Sequence, residues 1–172
     1  MAAQGGERRF LEALSGCRRV NLDTNAVIYY FGGGEPYGRL MKALFRLVDR
    51  GSLEVLISGI VQMELLVKPI REGNLDAVGE VINFTERTPN VRVVDVSRLV
   101  VMQAAFVRAD GLEVADSLVL ATGIVAECDA TVTNDRRWQP VLRRLAKRPP
   151  MARGDVFLSL PRMLYLDGFV GS

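Results

Sequence analysis

Arg19-Val20-Asn21-Leu22-Asp23-Thr24-Asn25-Ala26-Val27 is the stretch from which the fold is read. Val20 and Leu22 mark a short strand, Arg19–Leu22. It is closed by Asp23-Thr24-Asn25, residue types that cap turns and helices, and Ala26–Phe31 reads as helix. The same alternation recurs along the chain. Leu40, Ala43, Leu44, Leu47 and Val48 keep helical spacing up to a stop at Gly51. Leu53–Ile57 is a second strand, and Ser58 caps a helix running to Val67 that Pro69 is expected to end. Asn74 caps a further helix with Leu75, Val78, Val81 and Ile82 on one face. Val91–Val94 is a third strand, followed by a helix from Ser97 through Arg108, with Gly111 past its end. Val114–Glu127 is a strongly apolar helix leading into a fourth strand, Ala130–Thr133. Trp138-Gln139-Pro140 opens a basic helix, and Val156–Leu160 is expected as a last strand. Strands alternating with helices predict an α/β domain on a mainly parallel sheet, whose ligands bind at the carboxyl ends of the strands.

A chain of 172 residues is large enough for one domain with its own core. Residues 1–18 read as an N-terminal helical extension, with Phe10, Leu11 and Leu14 able to dock, and 19–172 as a single domain. Basic and acidic residues nearly balance, 22 against 20, and there is no histidine. That zero excludes Ser-His-Asp and Cys-His triads, histidine general bases and His-ligated zinc. Cys17 and Cys128 form no CxxC and sit among apolar neighbours, so both read as small core residues. Met1–Glu12 lacks the uninterrupted apolar core of a signal peptide. The apolar stretches Leu99–Val107 and Leu118–Ala126 fall far short of the ~20 residues of a membrane span. A soluble cytoplasmic protein without a membrane partner is expected.

Four acids carry the chemistry. Asp23 and Asp135 follow the first and fourth strands, where an Asp ordinarily caps a helix or turn. Glu64 and Asp116 lie on or beside apolar helical stripes: Ile60, Val61 and Val67 flank the first, and Leu112, Val119 and Leu120 the second. A buried carboxylate needs a cation or a proton, and a structural ion pair with one of the many arginines would serve either acid taken singly. If the four converge, carboxylates ~5 Å apart repel by roughly 3 kcal/mol per pair at an effective dielectric near 20. A multivalent cation relieves that repulsion. With no histidine and no paired cysteine, the cations that fit are Mg²⁺ or Mn²⁺.

Leu22-Asp23-Thr24-Asn25, then Glu64 in its apolar helix, then Ala115-Asp116-Ser117-Leu118, then Val132-Thr133-Asn134-Asp135-Arg136 resembles the PIN-domain nucleases. Within them the size is similar to the VapC-type toxin ribonucleases. Spacings of 41, 52 and 19 residues between successive acids match the family's order, and the resemblance spans Val20 to Trp138. It implies a PIN-like three-layer α/β domain, with a twisted, mainly parallel sheet between helices, and Mg²⁺- or Mn²⁺-dependent cleavage of RNA. Carried over by position, Asp23, Glu64, Asp116 and Asp135 become catalytic and metal-ligating. Thr24, Asn25, Thr133 and Asn134 become the residues that orient those carboxylates or a water. The same types also cap turns for structural reasons. The preface before the first strand and the tail after Ala146 are longer than the compact toxins carry. Asp95, Asp110, Asp129 and Asp155 read as caps and solvated loop residues.

The chemistry expected is hydrolysis of RNA phosphodiesters with water as nucleophile, since attack by the 2′-hydroxyl commonly relies on a histidine base. One or two metals remain open. Between Arg136 and Arg162 stand Arg136, Arg137, Arg143, Arg144, Lys147, Arg148, Arg153 and Arg162, against Asp155 alone. They read either as a solvated face or as a phosphate track, with Arg136, Arg137, Arg143 and Arg144 as the RNA contacts. The toxin reading implies a cognate antitoxin protein, landing on an apolar side of the Leu40–Val48 or Leu75–Ile82 helix, and a homodimer. Two alternatives stay open: an RNA-processing nuclease of the same fold without an antitoxin, and a catalytically silent module binding RNA or protein.

Overall fold

Among the described residues five short strands order themselves β3-β2-β1-β4-β5 in one sheet, with every neighbouring pair parallel. They are β1 (Arg19–Leu22), β2 (Glu54–Ser58), β3 (Val91–Val94), β4 (Ala130–Thr133) and β5 (Arg162–Tyr165). The computed structural model describes residues 2–147 and 159–170. Among those residues eight α-helices accompany the strands: α1 (Ala2–Leu14), α2 (Thr24–Gly32), α3 (Tyr37–Asp49), α4 (Gly59–Arg71), α5 (Leu75–Arg87), α6 (Arg98–Ala109), α7 (Val114–Val125) and α8 (Trp138–Lys147). None among the described residues is long and apolar enough to cross a membrane. The sheet with its flanking helices is the three-layer α/β arrangement expected, with a parallel sheet between helices.

Parallel strands buried on both faces read as apolar runs, and Val20, Leu22, Val55, Ile57 and Val132 are all fully buried. β1 is central, paired with β2 through Leu22↔Ile57 and with β4 through Leu22↔Val132. This register brings the ends of β1 and β4 side by side. α7 packs on β1, β2 and β4 and is itself covered by α6. Its approach is close because Gly123 has no Cβ: one built there would stand 2.9 Å from the Asn21 amide nitrogen. Asn21, buried in the central strand, donates to the Val119 carbonyl at 3.1 Å and so ties α7 to β1.

The helix starts follow side-chain capping. Ser58 accepts from the Ile60 N–H at 3.3 Å, Asn74 from Ala77 at 3.0 Å and Ser97 from Val100 at 3.3 Å. Both cysteines are free and buried. Asp129 accepts the backbone N–H groups of Arg18 and Arg19 at 2.8 and 3.0 Å, which joins the starts of β4 and β1. Residues 2–14 form the expected helix, and Phe10 and Leu14 are buried in the main core, Phe10 edge-on to Phe169 at 5.1 Å.

Three expectations need correction. Pro69 does not end α4, which runs on to Arg71. The missing proline N–H forfeits one bond in the last turn, and the Pro69 carbonyl is still used, by Asn74 at 2.9 Å. Among the described residues the last strand is Arg162–Tyr165; of the expected Val156–Leu160, residues 156–158 lie outside the described residues, and Ser159 and Leu160 are not strand. Nor does α3 offer an apolar surface to a partner. Leu40, Leu44 and Val48 are buried, and α1 packs against this helix. Apolar side chains are exposed instead on α2, α4 and α5, where Ile28, Met63, Val67, Ile70 and Leu75 are each more than half exposed, and separately on α6 and α7, where Val101 and Val114 are.

Candidate active site

Asp23 directly follows β1 and caps α2 with an extended backbone. One carboxylate oxygen accepts the Thr24 N–H at 2.7 Å, and the other accepts Asn25 Nδ2 and the Thr133 hydroxyl, each at 2.6 Å. Its own N–H bonds the Val132 carbonyl at 3.0 Å, which extends the β1–β4 ladder into the site. The donors to this carboxylate are thus neutral, and the residue is only 5% exposed. Its pKa is pushed up to about 6, chiefly by burial and further by the charges of Asp116 and Glu64, against the hydrogen bonds from Thr133 and Thr24.

Thr133 joins two of the acids. Its hydroxyl donates to Asp23 and accepts the Asp135 N–H at 3.0 Å. Asn25 Oδ1 accepts the Asn134 N–H at 3.0 Å, and Asn134 Oδ1 accepts the Asp167 N–H at 2.9 Å. Thr24 donates its hydroxyl to Glu64 Oε2. Asn25, Thr133 and Asn134 thus form one hydrogen-bonded set beside Asp23 and Asp135, and Thr24 joins Asp23 to Glu64.

Glu64 and Asp116 are half-buried, on α4 and in the first turn of α7. The same turns bury Val61 and Leu65 on α4 and Ser117, Val119 and Leu120 on α7, which holds the acids at the rim of the core rather than inside it. Asp116 has its pKa raised by burial and by Asp135, offset by Arg137 and by the indole of Trp138. That indole belongs to a fully buried side chain whose Nε1 has no hydrogen-bond partner at bonding distance among the described residues. Asp135 goes the other way: Arg137 lowers its pKa by hydrogen bonding through both side chain and backbone. Arg137 Nε lies 3.0 and 2.8 Å from the two Asp135 oxygens, and its Nη2 lies 3.8 Å from Asp116.

The electrostatic coupling links all four acids: Asp23 to Asp116 and Glu64, and Asp116 to Asp135 and Glu64. Their donor set is carboxylate oxygen backed by hydroxyls and amides, which suits a hard divalent cation. Among the described residues no three acids or cysteines are gathered at ligand distance. Glu64 is instead turned onto Thr24 and Asp135 onto Arg137. The donor types fit a hard divalent cation, and loading would draw those two side chains from their present partners.

The basic residues differ in availability. Arg136 is held by Asp167 at 2.8 Å through Nε and again through Nη2, and lies over the Tyr165 ring at 5.4 Å. Arg144 donates to the Asp110 carbonyl, and Arg143 is exposed on α8. Arg148 and Arg153 lie outside the described residues. Glu64 also forms one wall of a 310 Å³ cleft lined by Ile28, Phe31, Leu65, Pro69 and Val81, so the acidic edge opens onto the exposed apolar surface of α2, α4 and α5. Asn21, Trp138 and Asp167 were not singled out from the sequence. For Asn21 there was a signal, a polar residue inside a buried central strand.

A family model described as PIN domain matches residues 20–147. DNA-bound VapBC from Salmonella typhimurium is similar in structure, with a TM-score of 0.55 at 19% identity, over 87% of this chain and 98% of that one. FitAcB from Neisseria gonorrhoeae gives a TM-score of 0.54 at 20% identity, over 72% and 92% of the two chains. A toxin–antitoxin complex from Klebsiella pneumoniae gives 0.50 at 17%, over 69% and 86%. At these identities the likeness is one of fold. No curated protein matches the chain.

Proposed function

The chain belongs to the PIN domain family, and on that premise we propose that it is a Mg²⁺- or Mn²⁺-dependent ribonuclease, the toxin of a toxin–antitoxin pair. The observation that carries this reading is the coupling of Asp23 and Asp135, which follow β1 and β4, with Glu64 on α4 and Asp116 on α7, where Asp23 is buried with neutral donors alone. Asp23, Glu64, Asp116 and Asp135 would hold the ion. When bound, it supplies a water acidified toward hydroxide and a positive charge for the phosphate oxygens. Thr133 and Asn25 keep Asp23 oriented, and Thr24 does the same for Glu64. Trp138 closes the floor beside Asp116 and keeps solvent out of that corner. Arg143 and Arg144 on α8, with Arg136 and Arg137 ahead of it, supply phosphate contacts.

A protein antitoxin is the proposed partner. The support is the shared fold with a toxin–antitoxin complex and the apolar cleft that begins at Glu64, where a bound helix would also cover the acids. A homodimer and a cytoplasmic location complete the reading. The deciding experiment is cleavage of single-stranded RNA with Mg²⁺ or Mn²⁺. Wild type should cut and lose activity in EDTA, and Asp116→Asn should be at least about 10³-fold slower while folding normally. Equal cleavage by the variant would defeat the assignment.

A further inference from the structure

A guanidinium already lies across two of the four acids. Arg137 Nε faces both Asp135 oxygens at 2.8 and 3.0 Å, the Arg137 N–H donates to Asp135 Oδ1 at 2.8 Å, and Nη2 reaches to 3.8 Å from Asp116. A fork that covers both oxygens of one carboxylate and extends toward a second occupies the lone pairs a cation would need. The preceding residue provides an internal contrast. Arg136 has the same charge, yet Asp167 and the Tyr165 ring draw it away. The Arg137 side chain is 73% exposed, so it can leave the acids without disturbing the core.

Resting on the metal-nuclease reading above, we propose that Arg137 is a built-in competitor of the divalent cation, covering Asp135 and Asp116 in the metal-free protein until the ion displaces it. The competition sets the ion concentration at which the site loads. Once displaced, the arm remains tethered one residue from α8, beside the acids and facing solvent. Arg137 is thus a positioning residue that acts through Asp135 and Asp116.

The test is Mn²⁺ binding to the full chain without RNA, by calorimetry and by the electron paramagnetic resonance of free Mn²⁺. Wild type is compared with Arg137→Ala, Arg136→Ala and Asp116→Asn. Arg137→Ala should bind Mn²⁺ about tenfold more tightly. Arg136→Ala, which removes the same charge one residue away, should stay within about twofold. Equal tightening in both would reveal a long-range field rather than competition and overturn the proposal. Unchanged or weaker binding in Arg137→Ala would also overturn it. If Asp116→Asn still abolishes the binding seen in wild type, that result leaves the metal site standing and removes the competitor alone. Absence of Mn²⁺ binding in every protein, Arg137→Ala included, would overturn both.

Discussion

Asp23 and Asp135 end neighbouring parallel strands and share one hydroxyl, that of Thr133, yet they live in opposite surroundings. Asp23 is buried and held by neutral donors, and its pKa rises to about 6. Asp135 is held by the Arg137 guanidinium, and its pKa falls. Hydrogen bonds fix the geometry of both, but only one has its charge neutralised. The position at a strand end is therefore not what sets the pKa of such an acid; burial without a charged partner raises it and a guanidinium lowers it.

Replacing Asp23 should break this contrast most visibly. Its folded pKa lies above the ordinary carboxylate value, so the folded state holds the proton more tightly than the unfolded one. The stability this confers is complete below pH 3.8 and is lost as the pH rises through about 6. The loss amounts to ~3 kcal/mol in metal-free protein. Asp23→Asn should remove it, so that urea denaturation in EDTA finds the variant more stable than wild type at pH 7.5 and without the slope between pH 4 and 6. Parallel profiles for the two proteins would contradict the buried-charge account.

Thr133→Val comes next. It deprives Asp23 of a donor and leaves the Asp135 N–H without its acceptor, at a cost of about 2 kcal/mol. Loss of that donor should also move the Asp23 transition upward in pH, which the same denaturation series reads. The smallest effect belongs to Asp135→Asn. Its lowered pKa contributes stability above pH 3.8 that is lost as the pH falls through the folded value, the reverse of Asp23. Because Arg137 is largely solvated, the variant should lose less than about 1 kcal/mol at pH 7. A loss as large as that of Thr133→Val would mean that the ion pair, not the hydroxyl, holds the strand ends together.

Much of this architecture is legible in residue order. β1, β3 and β4 have the bounds that their apolar runs and polar stops suggest, and Ser58, Asn74 and Ser97 cap the helices expected of them. Local chemistry decides such features. Longer-range ones were not legible. Pro69 sits in a helix because Val61 and Leu65 anchor that helix in the core, and the gain outweighs one lost bond. α3 offers no open apolar face because α1 covers it, a contact between segments some 30 residues apart. At the site, the placement of Asp23 and Asp135 after their strands is visible in the sequence. The bridge from Thr133 to both, the pull of Asp167 on Arg136 and the clamp of Arg137 depend on register and rotamer. Trp138 reads in the sequence only as the start of a basic helix, though its indole faces Asp116.

The central claim is that the acids at the ends of β1 and β4 carry charge that a divalent cation relieves. Thermal unfolding at pH 7.5 with and without Mn²⁺, for wild type and Asp23→Asn, tests it most directly. At a hundred times its dissociation constant the ion should stabilise wild type by about 2.7 kcal/mol, a rise of several degrees in Tm. It should leave Asp23→Asn unmoved. An equal rise in both proteins, or none in wild type, would contradict the claim.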